Sequence, residues 1–211
     1  MTVTVVACRH GRSLANEANV VAADLERCRL RYGLSEGGKD DAIAALRQQS
    51  LTFRIPTAHI RIVSSPFLRA KETAAIFQSA FGLEHVEIEV DDRVRERYFG
   101  KANENSATAT DVYRRVWAAD YLDDDNHREG VESPRQVCDR LLSFLSDLQS
   151  SAGDNDVTVA VVSHGDTLLF LQCLLQARQL NEKLTLQYLN NAEVRLLGEL
   201  SAPSDTDNSI M

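Results

Sequence analysis

Two strongly apolar runs, one at the start of the chain and one near residue 160, predict buried β-strands. Residues Thr2–Ala7 read TVTVVA and residues Val157–Ser163 read VTVAVVS. Both runs are rich in β-branched residues and nearly continuous rather than alternating, which is typical of strands covered on both faces. Shorter runs of the same kind predict further strands at Ile60–Ser64, Val86–Val90 and Glu193–Leu200.

Segments with a helical spacing of apolar residues separate these strands. The predicted helices are Ser35–Gln48, Pro66–Phe81, Pro134–Leu148 and Asp166–Leu175, the last of them apolar nearly all round. Serine caps and the proline at position 134 mark two of the helix starts. In the second helix we expect one side to face the core, namely Leu68, Ala75, Ile76 and Phe77. The alternation of strands and helices predicts an α/β fold, a three-layer α/β/α sandwich around a mostly parallel central sheet.

The pattern predicts a single domain over residues 1–200, because no repeat or internal linker interrupts it. Residues 91–133 form a long connection between predicted elements, and we expect this segment to be irregular, a solvated loop or lid. The polar residues 201–211 are expected to form a disordered tail.

Composition excludes several classes of protein. The 211-residue chain is 44% hydrophobic and 26% charged, unlike a disordered, collagen-like or disulfide-stapled chain. The N-terminus lacks the pattern of a secretory signal, and no apolar run approaches the roughly 20 residues that span a bilayer. The four scattered cysteines, Cys8, Cys28, Cys138 and Cys173, form no C-x-x-C pair. We therefore expect a soluble, cytoplasmic protein with free thiols.

Charge is unevenly distributed along the chain. The net charge of −8 excludes a chain-wide basic surface, so we expect no nucleic-acid partner and no membrane partner. Taken alone, this total also argues against an anionic ligand. However, residues 120–139 hold seven acidic against two basic residues, whereas residues 9–31 hold five arginines against three acidic residues. One pocket for a single phosphate near residues 9–31 is therefore compatible with the total.

Reactive side chains follow three of the predicted strands. In an open parallel sheet, ligands bind beyond the carboxyl ends of the strands. Arg9-His10-Gly11 follows the first strand, and His164-Gly165 follows Val157–Ser163. Arg69 lies in the first turn of the helix after Ile60–Ser64, where an arginine is unfavourable for the helix dipole unless an anion binds there too. The sequence therefore predicts an anion site with two histidines at this edge.

Six short motifs occur in a fixed order between residues 5 and 166. They are Arg9–Ser13 with Asn16, Leu34-Ser35 with Gly38 and Ala42, Ser64–Ala70 with Thr73-Ala74, Arg93–Gly100, Gly130–Ser133 and Ser163–Asp166. Together they resemble the histidine phosphatase superfamily, which implies a phosphoglycerate mutase-like fold. A single R-H-G triplet would be a weak signal, whereas the ordered set is a specific one.

The resemblance implies a role for each matching residue. His10 would be the nucleophile that forms a phosphohistidine, and Glu96 would give a proton to the leaving group and later activate water. Arg9, Arg69 and His164 would complete the catalytic set by holding the phosphoryl oxygens. The residues implied to bind phosphate are Arg9, Ser13, Asn16, Arg69, His164 and Gly165. No cofactor and no metal are implied, and a homodimer is left open.

The expected function is hydrolysis of a small-molecule phosphate ester, of the sugar phosphate or bisphosphate type, by a phosphoric monoester hydrolase. Two alternatives stay open: a phosphoglycerate mutase that uses the same site, and a catalytically weak module that binds a phosphorylated ligand. The mutases of this family carry an aromatic, proline-rich stretch after the glutamate motif. Lys101–Asp120 lacks it, which favours hydrolysis.

Individual motifs and residues also allow interpretations other than a histidine phosphatase. Gly33–Asp40 matches P-loop spacing up to its lysine, but an aspartate stands where a P-loop needs serine or threonine. Cys8 is expected to be a buried apolar residue, since Leu14 stands where a cysteine phosphatase has arginine. Glu96 could merely pair with a neighbouring arginine. The remaining histidines, His59, His85 and His127, are expected at the surface.

Overall fold

The computed structural model describes residues 2–56, 59–103 and 108–201, and a five-stranded sheet lies at its centre. The strands are β1 (Thr2–Arg9), β2 (Ile60–Ser64), β3 (Ile88–Val90), β4 (Val157–Ser163) and β5 (Val194–Ser201). Their order across the sheet is β3-β2-β4-β1-β5, and only β5, which pairs with β1, runs antiparallel to its neighbour. The predicted mostly parallel sheet is confirmed.

Helices cover both faces of this sheet. Within the described residues they are α1 (Leu14–Glu17), α2 (Leu25–Cys28), α3 (Glu36–Thr52), α4 (Leu68–Ala80), α5 (Ala109–Asp120), α6 (Pro134–Ser151) and α7 (Gly165–Leu175). The serine caps predicted from the sequence are present, because Ser35 accepts a hydrogen bond from the Gly38 amide and Ser133 forms a capping box with Gln136. None of the described helices is long and apolar enough to cross a membrane.

The three layers follow from the alternation of side chains along each strand. In β1, Val3, Val5 and Ala7 belong to a core with residues of α6 and α7, while Val6 and Cys8 belong to a second core with residues of α3 and α4. Successive residues of a strand point to opposite faces, so a continuous apolar run supplies both cores. Burial raises the pKa of the Cys8 thiol to about 12, in keeping with its predicted apolar role.

The predicted core face of α4 is wrong in part. The helix begins at Leu68, because Phe67 is its N-cap, and Ala75 is exposed. The buried positions are Arg69, Ala70, Thr73, Ala74 and Phe77. Two of them are polar side chains that face the strand ends, so apolar spacing alone misplaced the buried stripe.

The prediction that residues 91–133 are irregular is also wrong in part, since α5 lies within them. Thr108 caps this helix by accepting from the Asp111 amide, and Val112 and Val116 lie one turn apart on its buried side. They pack in a third apolar cluster that includes Val21. The other described residues of this segment form three short 3₁₀ helices joined by irregular backbone. Ser201 ends β5, and residues 202–211 of the expected tail lie outside the described residues.

Two acidic residues of the segment expected to be a solvated loop or lid, Asp120 and Glu132, are instead buried and ion-paired. Asp120, 4% exposed, accepts from Arg97 at 2.6 Å and from Lys183 at 2.9 Å. Asp166 lies 3.3 Å from Arg97 and 3.4 Å from Lys183, so two cations balance two carboxylates. Burial alone would raise the pKa of Asp120, but hydrogen bonds from Arg97 and the charge of Lys183 hold it below its usual value. Glu132 forms ion pairs with Arg95 and Arg140.

Removing one cation from this network should strongly destabilise the fold. We expect Lys183→Met to lower the free energy of unfolding by about 3–5 kcal/mol, because only Arg97 would then compensate two buried carboxylates. Urea unfolding followed by circular dichroism measures this change. The matched control is Lys39→Met, whose exposed side chain pairs with Glu72 at 3.4 Å, and its effect should stay within about 1 kcal/mol. Equal effects in the two variants would contradict the role of the network.

Candidate active site

His10 follows β1 directly and is held in one tautomer. Its Nδ1 lies 2.7 Å from the Gly11 carbonyl oxygen. A carbonyl oxygen can only accept, so Nδ1 carries the hydrogen and Nε2 keeps its lone pair. Burial lowers the pKa of His10 well below its ordinary value, and the charges of Arg69 and Arg9 lower it further. The structure therefore presents a neutral imidazole at neutral pH, whose unprotonated Nε2 accepts a hydrogen bond from Nε of Arg69.

Two arginines lie beside this histidine. Arg69 is buried on the first turn of α4, with Nε 3.3 Å from Nε2 of His10 and Nη2 donating to the Ala22 carbonyl at 3.0 Å. Arg9 donates from Nη1 to the Leu189 carbonyl at 2.8 Å, and its guanidinium lies 4.7 Å from the centre of the Tyr188 ring. Among the described residues, Nη1 of Arg69 and Nε of Arg9 are buried and have no hydrogen-bond partner.

His164 follows β4 and packs against the first histidine. Parallel pairing of β1 and β4 sets Arg9 opposite Ser163, so the two residues that follow are neighbours. The ring centres of His10 and His164 lie 5.0 Å apart. Burial lowers the pKa of His164 well below its ordinary value, and Arg69 adds to this effect. The predicted meeting of two histidines at this edge of the sheet is therefore observed.

Glu96 is buried with no cation paired to its carboxylate among the described residues. Its Oε1 accepts from the Arg97 amide at 3.0 Å and from the Thr167 hydroxyl at 3.2 Å. Burial raises the pKa of Glu96 above its ordinary value, and the charge of Asp166 raises it further. The neighbouring arginines pair elsewhere: Arg93 with Asp91 and Asp147, Arg95 with Glu132, and Arg97 with Asp120 and Asp166. The simple reading of Glu96 as an ion-pair partner of a neighbour is therefore wrong.

A small cavity of about 20 Å³ collects most of the predicted residues. It is lined by Arg9, His10, Ser13, Asn16, Arg69 and Glu96, together with Ala15, residues 20–22 and Tyr113. Ser13 donates its hydroxyl to the Asn16 side chain at 2.9 Å, so these two polar groups form one unit at the start of α1. His164 is absent from this lining, although its ring centre lies 5.0 Å from that of His10. Gly165 is absent as well. A Cβ at that position would lie 1.7 Å from the Tyr188 hydroxyl oxygen, so its close partner is an aromatic side chain.

Unpartnered polar atoms occur on residues next to His10. Among the described residues, four buried side-chain nitrogen or oxygen atoms lack a hydrogen-bond partner. Three of them are Arg9 Nε, Arg69 Nη1 and His164 Nδ1, and the fourth is Gln172 Oε1 on α7. A buried unsatisfied group costs about 1–3 kcal/mol, so natural structures keep few of them. Three nitrogens left free around one neutral imidazole are suited to binding the oxygens of an anion.

Several residues at this site had no role in the sequence interpretation. Tyr113 of α5 lines the cavity, and burial raises the pKa of its hydroxyl well above the ordinary value, so it stays a neutral donor. Thr73 accepts from the Gly11 amide at 3.0 Å, and Ser65 contacts His164. Ser65 and Thr73 lie within the quoted motifs, which is a usable signal. Tyr113 lies in the segment expected to be irregular, where no pattern pointed to it.

Comparisons with known proteins agree with this geometry. A profile of the histidine phosphatase superfamily (branch 1) matches residues 5–199. A search of curated proteins found no match. Among solved structures, mycobacterial glucosyl-3-phosphoglycerate phosphatase in complex with VO3 is 25% identical, with a TM-score of 0.70 over 94% of this chain and 90% of that chain.

Two more distant structures show the same fold. A phosphoglycerate mutase from Bacillus anthracis is 20% identical, with a TM-score of 0.64 over 93% of this chain and 89% of that chain. YhfR from Bacillus stearothermophilus is 22% identical, with a TM-score of 0.67 over 91% and 89% of the two chains. Since the superfamily profile spans nearly the whole chain, this protein belongs to the histidine phosphatase superfamily.

Proposed function

We propose that the protein is a phosphomonoesterase that hydrolyses a small phosphorylated metabolite through a phosphohistidine at His10. Members of the superfamily are phosphatases or mutases. The observation that carries the proposal is the set of unpartnered nitrogens on Arg9, Arg69 and His164 around a neutral imidazole. Guanidinium groups match the oxygens of a phosphoryl group, and their charge is most effective where water is excluded.

The reaction proceeds in two displacements. In the first, Nε2 of His10 attacks phosphorus, the phosphorus–oxygen ester bond breaks, and Glu96 gives its proton to the leaving oxygen. The Gly11 carbonyl holds the Nδ1 hydrogen while positive charge develops on the ring. In the second, Glu96 takes a proton from water, the water oxygen attacks phosphorus, and the phosphorus–nitrogen bond breaks. Inorganic phosphate leaves, and both side chains return to their starting protonation states.

A sugar phosphate or bisphosphate substrate belongs to this proposal. Support comes from the mycobacterial structure, which is named as a glucosyl-3-phosphoglycerate phosphatase and is 25% identical. The absence of the mutase stretch from Lys101–Asp120 supports water as the acceptor. A phosphoglycerate mutase remains the second candidate, since its phosphohistidine would form in the same way.

A panel of metabolite phosphates, assayed with a chelator and without added metal, tests the proposal. We expect inorganic phosphate to be released from one or more sugar phosphates, because Arg9, Arg69 and His164 supply the donors that hold the phosphoryl group. Transfer of the phosphoryl group to another hydroxyl, with no phosphate released, would establish the mutase instead. Absence of both reactions across the panel would leave the binding module and overturn the proposal.

A further inference from the structure

We propose that Ser65 is a positioning residue that fixes the tautomer of His164, so that Nδ1 of this ring carries the hydrogen and donates it to the bound phosphoryl group. The identity of that anion rests on the proposed function, whereas the tautomer itself does not. The proposal gives a role to a buried hydroxyl that the two displacement steps do not use.

The geometry places the serine hydroxyl directly on the histidine ring. Ser65 follows β2, His164 follows β4, and these strands are parallel neighbours, with Ser64 opposite Val162. The Ser65 amide donates to the Val162 carbonyl at 2.9 Å, which holds the serine at this level of the sheet. Its Oγ lies 2.7 Å from Nε2 of His164, and both side chains are fully buried.

The hydrogen bonds of the serine determine which nitrogen is protonated. Apart from the histidine, the only group in the described part of the chain that hydrogen-bonds the Ser65 hydroxyl is the Phe67 amide, which donates to Oγ at 3.4 Å. If Nε2 of His164 also donated, the hydroxyl hydrogen would be buried without an acceptor, at a cost of free energy. The hydroxyl therefore donates to the lone pair of Nε2. In a neutral imidazole this places the hydrogen on Nδ1.

The other ring nitrogen, Nδ1 of His164, is then a hydrogen-bond donor for the phosphoryl group. Nδ1 of His164 is buried and lacks a partner among the described residues, and the ring centre lies 5.0 Å from that of His10. The edge-to-face contact with Phe67, at 5.2 Å between ring centres, holds the ring in this orientation. Because burial lowers the pKa of His164 and keeps the ring neutral, only one of its nitrogens is a donor. If Nδ1 carries the hydrogen it attracts a phosphoryl oxygen, whereas an unprotonated Nδ1 repels it.

The first test is a ¹⁵N NMR spectrum of histidine-labelled protein near neutral pH, with the His164 signals assigned through His164→Gln. We expect Nδ1 at the position of a protonated nitrogen and Nε2 at that of an unprotonated one. A wild-type spectrum with the hydrogen on Nε2 overturns the proposal. This measurement needs no variant at the serine, so it does not depend on how well Ser65→Ala folds.

The second test compares Ser65→Ala with Ser64→Ala. Both remove one fully buried hydroxyl, but within the described residues that of Ser64 donates only to the backbone carbonyl of Ser65, at 3.0 Å. In Ser65→Ala we expect the His164 signals to shift towards a mixture of tautomers. We also expect inhibition by inorganic phosphate to weaken about 10- to 100-fold, the effect of losing one hydrogen bond to a charged group. Ser64→Ala should keep the wild-type values for both.

The outcomes separate this proposal from the proposed function. An unchanged His164 spectrum in Ser65→Ala, or an equal shift in Ser64→Ala, contradicts the positioning role whether or not the protein hydrolyses phosphate esters. A protein that shows the expected tautomer and phosphate inhibition, but neither releases nor transfers phosphate, would retain the positioning role and lose the proposed function.

Discussion

Replacing His10 with alanine should lower kcat on every phosphate ester by on the order of 10⁴-fold or more. The reason is that the two-step route needs Nε2 of His10 as the nucleophile that forms the covalent intermediate. Arg9 and Arg69 would still bind the phosphate ester, so KM should change far less than kcat.

The phosphorylated enzyme makes this prediction specific to His10. Wild-type protein quenched during turnover of a ³²P-labelled substrate should carry label that is stable in alkali and lost in acid, as expected for a phosphohistidine. His10→Ala should carry none. The matched control is His85→Ala, since His85 is exposed and does not line the cavity. Acid-labile label in His10→Ala, or a loss of kcat under tenfold, would remove His10 from the nucleophilic role.

The strand ends that carry the site could be predicted because their signals are local. The β-branched runs of β1 and β4 are continuous, and continuous runs are typical of parallel strands buried on both faces. Once both strands are placed in one sheet, His10 and His164 must follow its carboxyl edge, and the structure brings their ring centres to 5.0 Å. The motifs around these strand ends then led to the family, which the superfamily profile confirms.

What could not be predicted depends on contacts between distant residues. The buried side of α4 includes Arg69 and Thr73, which are buried because they face His10 and Gly11, and no apolar period shows this. The buried position of Asp120 depends on Lys183, which lies 63 residues later in the chain. The prediction that Asp120 is a solvated lid residue is therefore wrong, because sequence spacing cannot identify its ion-pair partner Lys183.

The position of Tyr113 at the cavity could not be predicted for a similar reason. The helix α5 carries Tyr113 to the cavity because Val112 and Val116 pack in one cluster with Val21, a residue of the loop between α1 and α2. This cluster is small and its members come from separate parts of the chain. The sequence predicts an irregular connection at residues 91–133 because their few apolar residues form a buried cluster only through contact with that loop.

Replacing Glu96 with glutamine should divide substrates by their leaving group. We expect kcat/KM for an alkyl phosphate to fall about 10²- to 10⁴-fold, because the departing alkoxide needs a proton. The loss on p-nitrophenyl phosphate should be much smaller, since p-nitrophenolate leaves readily without one. The matched control is Glu87→Gln, at an exposed position outside the cavity. Equal losses on both substrates would show that Glu96 does not act as the acid.

The pH dependence should change in the same variant, and its sign follows from the two shifted groups. The first displacement needs neutral His10, whose pKa is lowered by burial, and protonated Glu96, whose pKa is raised by burial. For an alkyl phosphate, kcat/KM of the wild type should therefore fall as pH drops through the pKa of His10, and fall again as pH rises through the pKa of Glu96, giving an acidic to neutral optimum. In Glu96→Gln the alkaline fall due to Glu96 should disappear while the acid fall remains, because glutamine does not titrate. A variant that kept the complete wild-type profile would assign the alkaline fall to another group, and Glu96 would lose the role of proton donor.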